Sequence, residues 1–310
     1  MLNLALIGAG KFGKHYARLL QDLDGVRLGA VVTRSGTISP EISLPPHLLI
    51  ASDIHQVLAD PQIDGVVIAT PSATHATIAR AALTSGKHVL VEKPLTLDLS
   101  EAEALASLAH TTGRVAMVSF QYLYNDFIHQ LRASLEAGDF GQCHTFAVEH
   151  ENSPVRDDIN CFWDVAPHAL SIFTFLFHPS QIQHVSGRLR VPRHSQGDMV
   201  QVTVHFDRGP VLSLRASWPG ERKVRTLTLT SDQLVATLDE PKALEPLTLR
   251  RPDGSIQTHA PTSEPLRNEL DHFLQCIRVN KPPRTDFSFG STVTRFLTEI
   301  SDQLTIDHAA

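Results

Sequence analysis

The hexapeptide Gly8-Ala9-Gly10-Lys11-Phe12-Gly13 constrains this chain more than any other feature, because of what stands on either side of it. Before it, Leu2–Ile7 is a short and almost continuously apolar run, the pattern of a strand buried on both faces. After it, Phe12–Leu23 carries apolar residues at helical period. A strand that turns directly into a helix needs glycine. The first glycine permits the tight turn, the second lets a ligand approach the backbone, and the third lets helix pack against strand. Free N–H groups at the helix start favour an anion, so the loop reads as a cradle for the pyrophosphate of a dinucleotide. Gly8, Gly10, Lys11, Phe12 and Gly13 are its candidate residues.

The rhythm set by this loop continues to residue 120. Val26–Thr33, Val66–Ala69, His88–Glu92 and Val115–Phe120 read as further buried strands, with helical patterns at Ile54–Leu58, Thr74–Ser85 and Leu99–His110 between them. Asp98 with Glu101 resembles a capping box, and Gly86 a helix stop. Such alternation predicts an α/β fold with a doubly wound parallel sheet. Beyond it the pattern changes. A helix over Tyr124–Ala137, alternation over Thr145–Glu151 and a helix around Trp163–Phe177 precede β-type stretches between Gln181 and Arg250. These include Val200–Phe206, Val211–Ser217 and Val224–Thr230, and helices over Glu264–Val279 and Phe289–Ile306 close the chain. The expected division is a Rossmann domain at 1–120 and a substrate-binding and oligomerisation α+β domain at 121–310, with an open, mostly antiparallel sheet.

At the end of the second strand, about 20 positions past the loop, a carboxylate would bind a ribose 2′-hydroxyl. This chain has Thr33-Arg34-Ser35 instead. A guanidinium and a hydroxyl can bond a 2′-phosphate, so NADP is the preferred cofactor over NAD. The alternative is that Arg34 is a solvated loop residue and NAD binds through other contacts.

Composition removes several classes of function. The 310 residues include 27 basic and 33 acidic side chains, for a net charge of −6, with no long basic run, which argues against nucleic acid as a partner. No apolar stretch reaches the roughly 18–20 residues of a spanning helix, and the start lacks a signal-peptide layout, so no membrane association and a cytoplasmic location are expected. Cys143, Cys161 and Cys276 form no CxxC pair, and the 17 histidines show no tight ligand spacing, so no metal site is expected. Glu149, His150 and Glu151 read as sheet alternation.

Two further motifs carry chemistry. Glu92-Lys93-Pro94 ends a predicted parallel strand, the edge where open α/β sheets bind ligands, and the proline holds Lys93 extended there. The alternative is a surface lysine ahead of a turn. Asp164 and His168, four apart in Trp163-Asp164-Val165-Ala166-Pro167-His168, would face the same way on a helical turn, although Pro167 suggests that the helix begins near it. Taken alone, such a pair is more often a helix-surface pair.

The strings ALIGAGKFG at 5–13, IATPSATH at 68–75 and GKHVLVEKP at 86–94 together resemble the glucose–fructose oxidoreductase, inositol dehydrogenase and rhizopine-catabolism (Gfo/Idh/MocA) family. The resemblance is close to residue 120 and continues through Trp163–Ser171. It implies an NAD(P)-dependent dehydrogenase or reductase acting on a CH–OH group, with Lys93, Asp164 and His168 as catalytic residues, and assembly as a homodimer or homotetramer. It places Thr70, Pro71, His75, Glu92 and Lys93 at the cofactor with the glycine loop, Arg34 and Ser35. Lys93, Gln121, Tyr122, Trp163, Asp164 and His168 are then the candidate substrate contacts. Ala169 stands where many members carry an acidic residue after the histidine. Gln121, Tyr122 and Tyr124 replace an often arginine-rich string, which suits a neutral, ring-stacking small molecule such as a sugar or polyol, although core packing of the tyrosines is an equal alternative. Two other functional classes fit the same scaffold: a sugar-rearranging or glycoside-cleaving enzyme that recycles its nicotinamide, and a nonenzymatic nucleotide-binding sensor.

Overall fold

A computed structural model of the chain describes residues 1–151, 155–191, 199–218, 223–240, 246–260 and 263–308. By its internal contacts the chain forms two compact units, Met1–Ser119 with Arg267–Thr294, and Phe120–Leu266 with Arg295–Ala310.

The first unit holds six parallel strands, β1 Leu2–Ile7, β2 Val26–Val32, β3 Leu49–Ala51, β4 Gly65–Ile68, β5 His88–Glu92 and β6 Ala116–Ser119, in the order β3-β2-β1-β4-β5-β6. The order reverses beside β1, which creates the crevice where doubly wound sheets bind ligands. Helices α1 Gly13–Asp22, α2 Ile54–Leu58, α3 His75–Thr84 and α4 Leu99–Thr112 connect the strands. Leu4, Leu6, Val66, Val67, Val89 and Leu90 are fully buried, as strands covered on both faces require. Asp98 caps α4 by accepting from the Glu101 amide at 2.9 Å, and Gly86 closes the turn after α3 at φ 75°.

The short edge strand β3 carries no burial signal in the sequence. Leu49 and Ile50 are 47% and 40% exposed, and only Ala51 is covered. Residues 267–294 join this unit although a division at residue 120 separates them from it. Thr285 donates its hydroxyl to the Val118 carbonyl at 2.7 Å and accepts the Val118 amide at 2.8 Å, which extends β6 by one rung. A Cβ on Gly290 would come within 2.6 Å of Val118, so glycine allows that close packing.

The second unit is built on a nine-stranded sheet. Its strands are β7 Cys143–Glu151, β8 Ile182–Val191, β9 Met199–Phe206, β10 Val211–Ser217, β11 Val224–Ser231, β12 Val235–Asp239, β13 Leu247–Arg250, β14 Ile256–His259 and β15 Thr305–His308, in the order β14-β13-β12-β11-β7-β10-β9-β8-β15. Of the stretch 181–250, residues 192–198, 219–222 and 241–245 lie outside the described residues. All pairings are antiparallel except β10 with β7 and β15 with β8. The remaining helices are α5 Asp126–Glu136, α6 Cys161–Phe177, α7 Pro265–Val279 and α8 Phe287–Ser301. Ile306 belongs to β15, not to the closing helix, because it pairs with Leu189 of β8.

Helix α6 overturns the expected start near Pro167. The helix begins two turns earlier at Cys161, where Asn160 accepts the Trp163 amide at 3.0 Å and its carbonyl accepts the Asp164 amide. Pro167 costs one internal hydrogen bond, and burial of Phe162, Val165, Leu170, Ile172 and Phe173 outweighs it. Asn160→Ala should lower unfolding stability by about 1 kcal/mol, read as a lower urea midpoint at unchanged m-value; an unaltered midpoint would show that the cap does not hold the helix.

Candidate active site

In the first unit the candidate residues gather at the carboxyl ends of β1, β4 and β5. Gly8 follows β1 at φ 96°, and a Cβ there would lie 2.5 Å from the Ala69 carbonyl oxygen. One on Gly13 would lie 2.1 Å from the Gly8 oxygen. Both glycines are therefore demanded by packing. Gly10 differs, since a Cβ would meet nothing within 4 Å and the residue is exposed. Helix α1 has no side-chain cap and no acidic residue in its first turn. A close-packed first and third glycine, open space over the second and an uncapped helix start fit a dinucleotide pyrophosphate. Lys11 and Phe12 are exposed beside this space.

At the end of β2, the Gly36 amide closes a turn onto the Thr33 carbonyl at 3.1 Å, with Arg34 and Ser35 exposed on it. Ser35 Oγ lies 2.7 Å from Thr37 Oγ1. No carboxylate stands at Thr33, Arg34 or Ser35 to repel a phosphate.

Thr70 and Pro71 end β4. The Thr74 hydroxyl donates to the Pro71 carbonyl at 2.7 Å and also lies 2.7 Å from Thr70 Oγ1. His75 is 1% exposed, with Nδ1 2.8 Å from the Pro94 carbonyl oxygen and Nε2 3.0 Å from that of Thr70. The imidazole thus ties the Glu92-Lys93-Pro94 turn to the end of β4 and fixes where Lys93 leaves the strand. The Lys93–Pro94 peptide is cis.

Glu92 and Lys93 are each partly accessible. The Glu92 carboxylate accepts the Tyr16 hydroxyl at 2.7 Å and the Lys93 amide at 3.2 Å. Burial pushes the Glu92 carboxyl upward, against the lowering effects of Tyr16 and the Lys93 charge.

The second unit carries the other candidates. Asp164 and His168 stand one turn apart on α6, both partly accessible. The Tyr122 ring, in the 3-10 turn Gln121–Tyr124, meets the His168 ring edge to face at 4.9 Å. Tyr122 also hydrogen-bonds Glu240, and burial followed by the Glu240 charge holds its phenol well above the ordinary range. Burial likewise raises Glu240. Arg225 reaches the His150 ring, and these groups line one cavity with His168. Gln121 is partly accessible, as is Trp163, whose ring packs edge to face on Phe162. Ser171 donates to the His168 carbonyl at 3.0 Å and is fully buried, so it turns into the helix.

Sequence reasoning missed Arg156, Glu240, Tyr16, Ser119 and Glu269. Arg156 bonds both oxygens of Asp158, at 2.9 and 2.7 Å, and reaches Asp164 Oδ1 at 3.4 Å. Its basic residue beside Asp157-Asp158, just ahead of Asn160, is the one signal that spacing offered. Among the described residues, no group of three or more His, Cys, Asp or Glu side chains could hold a metal ion, and no helix is long and apolar enough to cross a membrane.

Comparison with known proteins gives the site its context. A family model described as an oxidoreductase family with an NAD-binding Rossmann fold matches residues 2–120. The chain is 25% identical over 308 residues to scyllo-inositol 2-dehydrogenase (NAD(+)) of Bacillus subtilis, a match covering 91% of this chain and 88% of that protein. It is 32% identical to an inositol 2-dehydrogenase of Mycolicibacterium smegmatis over 57% of this chain and 53% of that one. A crystal structure from Magnetospirillum magnetotacticum MS-1, described only as a candidate oxidoreductase, is 33% identical, with a TM-score of 0.83 over 96% of this chain and 98% of that one.

The two kinds of glycine separate in experiment. Gly10→Val should weaken dinucleotide binding about tenfold or more, the equivalent of about 1.4 kcal/mol, with the melting temperature unchanged. Gly13→Ala should cost about 1–3 kcal/mol of stability, because its Cβ meets backbone. Calorimetric titration and thermal melting of the two variants read both effects, and equal losses of binding and stability in both would contradict the assignment.

Proposed function

The chain belongs to the Gfo/Idh/MocA family of NAD-binding oxidoreductases, and on that premise we propose that it transfers hydride between NADP and a secondary hydroxyl or keto group of a sugar or polyol. The observation that carries the reading is the glycine cradle, open over Gly10, together with Lys93 at the carboxyl end of a strand in the same sheet. When bound, the nicotinamide supplies the hydride acceptor or donor; Gly8, Gly10, Lys11, Phe12, Gly13, Thr70 and Pro71 hold its dinucleotide. His75 and Glu92 act behind that surface, His75 by fixing the turn and Glu92 by setting charge beside Lys93.

Removing hydride from a carbinol carbon requires its hydroxyl proton to leave as well. An imidazole has an ordinary pKa near 6.5 and exchanges a proton near neutrality, so His168 takes the hydroxyl proton in oxidation and returns one in reduction. Lys93 donates a hydrogen bond to the oxygen as alkoxide character develops. Asp164, charge-paired with Arg156, orients His168 or binds a neighbouring hydroxyl. Tyr122 keeps the imidazole in place through its ring edge, while Gln121 and Trp163 provide amide and aromatic surface for a neutral substrate. The same reading includes assembly as a homodimer or homotetramer.

The absence of an acidic residue at Thr33-Arg34-Ser35 supports NADP over NAD. A guanidinium bonding a 2′-phosphate contributes about 1.5–3 kcal/mol. Arg34→Ala should therefore raise the Kd for NADPH about tenfold or more and leave NADH unaffected, a contrast that fluorescence titration reads directly. Equal effects on both cofactors would leave Arg34 a solvated loop residue.

Absorbance at the nicotinamide band across a panel of sugars and polyols tests the reaction. His168→Ala and Lys93→Ala should each lower turnover about a hundredfold or more while NADP(H) affinity is preserved. Turnover unchanged in either variant refutes the role given to that residue.

A further inference from the structure

The segment that leads into α6 carries a charge cluster that ends on Asp164. Arg156 donates from Nε to Asp158 Oδ1 at 2.9 Å and from Nη2 to Asp158 Oδ2 at 2.7 Å, and its Nη1 reaches Asp164 Oδ1 at 3.4 Å. Two parallel N–H···O bonds are the geometry in which a guanidinium takes a carboxylate, so Asp158 fills one edge of Arg156 while Asp164 stands at the other. The chain just past Asp158 is held in place, because Ile159 is 4% exposed and the Asn160 side chain caps α6. All three charged side chains keep contact with solvent, and Asp158 and Asp164 have further interactions besides these.

The charges of this cluster do not balance. A guanidinium stays protonated at any working pH, and two ionised carboxylates beside it leave one negative charge over. The exposed Asp157 between Arg156 and Asp158 adds another. Burial weakens the hold of Arg156 on its proton, and the bonds to Asp158 with the charge of Asp164 outweigh it, so the group stands above its ordinary value, as a cation flanked by anions should. The guanidinium of Arg225, which lines the cavity with His168, reaches the His150 ring and acts on the Glu240 charge. A neutral polyol can donate a hydroxyl to Asp164 without charge repulsion. A sugar acid brings a further negative charge to a cluster that is already negative.

We propose that Asp158 determines the substrate class of this site: by occupying Arg156 it denies a substrate carboxylate the cation beside Asp164, so that neutral polyols are accepted and sugar acids rejected. The proposal rests on the placing of Asp164 and His168 at the substrate given above. Asp158 acts through Arg156 and needs no contact with the substrate itself. Without its carboxylate, the Nε and Nη2 hydrogens of Arg156 are open to another anion, and the cluster loses one negative charge. Both changes favour a substrate that carries a carboxylate near the carbinol.

Matched pairs of compounds test this, because the neutral member of each pair controls for any general damage to the site. The pairs are glucitol with gluconate, and methyl glucoside with the matching glucuronide. Calorimetric titration into the full chain loaded with NADPH, where a polyol is not oxidised, reads the affinity of all four. The wild type should bind the neutral member of a pair more tightly than the acid. Asp158→Asn should raise the affinity for the acid relative to its neutral partner about tenfold in at least one pair. The double variant Arg156→Gln with Asp158→Asn should lose that gain, since the cation that receives the carboxylate is gone. In the wild type, raising NaCl from about 0.05 to about 0.5 M should narrow the gap between acid and neutral compound, because salt screens exposed charges. A residue of purely structural importance would move both members of a pair together.

The proposal is overturned if Asp158→Asn gains nothing for the acid in either pair, or if the double variant keeps the gain in full. A wild type that binds neither glucitol nor the glucoside sinks the substrate class of the reading above instead, and the response of Asp158→Asn to the acids still decides the role of Asp158. Thermal melting checks that each variant is folded. Asp158→Ala, which opens the same edge of Arg156, takes the place of Asp158→Asn if that variant is not, and a wild-type gap that salt leaves unchanged overturns the proposal without any variant.

Discussion

The packing of Gly8 and Gly13 against the end of β4 is the constraint from which the first unit follows. With a carbonyl oxygen 2.5 Å from where a Cβ on Gly8 would sit, and another 2.1 Å from one on Gly13, no other residue lets β1 pass into α1 so closely. The strands are then covered on both faces, as fully buried Leu4, Leu6, Val67 and Leu90 show, and polar chemistry is excluded from the interior of the sheet. It is left at the carboxyl ends of the strands. Gly10, Thr70 and Lys93 are brought to that edge by one and the same cause.

Holding Lys93 there takes more than the strand. His75, enclosed between the carbonyls of Thr70 and Pro94, links the loops that follow β4 and β5. The family resemblance places it at the cofactor; in the fold it opens α3, is 1% exposed and has a ring nitrogen within hydrogen-bond distance of each carbonyl. On the other unit, Tyr122 does a comparable task for His168. Its hydroxyl hydrogen-bonds Glu240, and its ring packs edge to face with the imidazole at 4.9 Å.

Sequence made the first unit legible because most of its strands are short apolar runs bounded by turn residues, and because α2 and α4 carry their own side-chain caps, Asp53 and Asp98. Leu2–Ile7, Ile54–Leu58 and His88–Glu92 fall where the pattern puts them. What escaped had a physical reason. Strand β3 is an edge strand with two exposed apolar residues in three, so periodicity could not separate it from a loop. Helix α6 runs through Pro167 because its burial outweighs one lost hydrogen bond, a tertiary effect that local rules cannot weigh. Ile306 is a strand residue only because β8 lies beside it.

The same distinction separates the parts of the site. Gly8 through Gly13, Glu92-Lys93-Pro94 and Asp164 with His168 are local strings whose spacing carries meaning. The polar groups that tune them lie far away along the chain: Tyr16 meets Glu92 across 76 residues, and Ser119 meets Glu269 across 150. A tyrosine and a glutamate on the buried faces of amphipathic helices look in sequence like slightly polar core positions. Only the fold brings them within hydrogen-bond distance of Glu92 and Ser119. The strings carry the candidate chemistry, while the hydrogen bonding of Glu92 beside Lys93 comes from residues that no string contains.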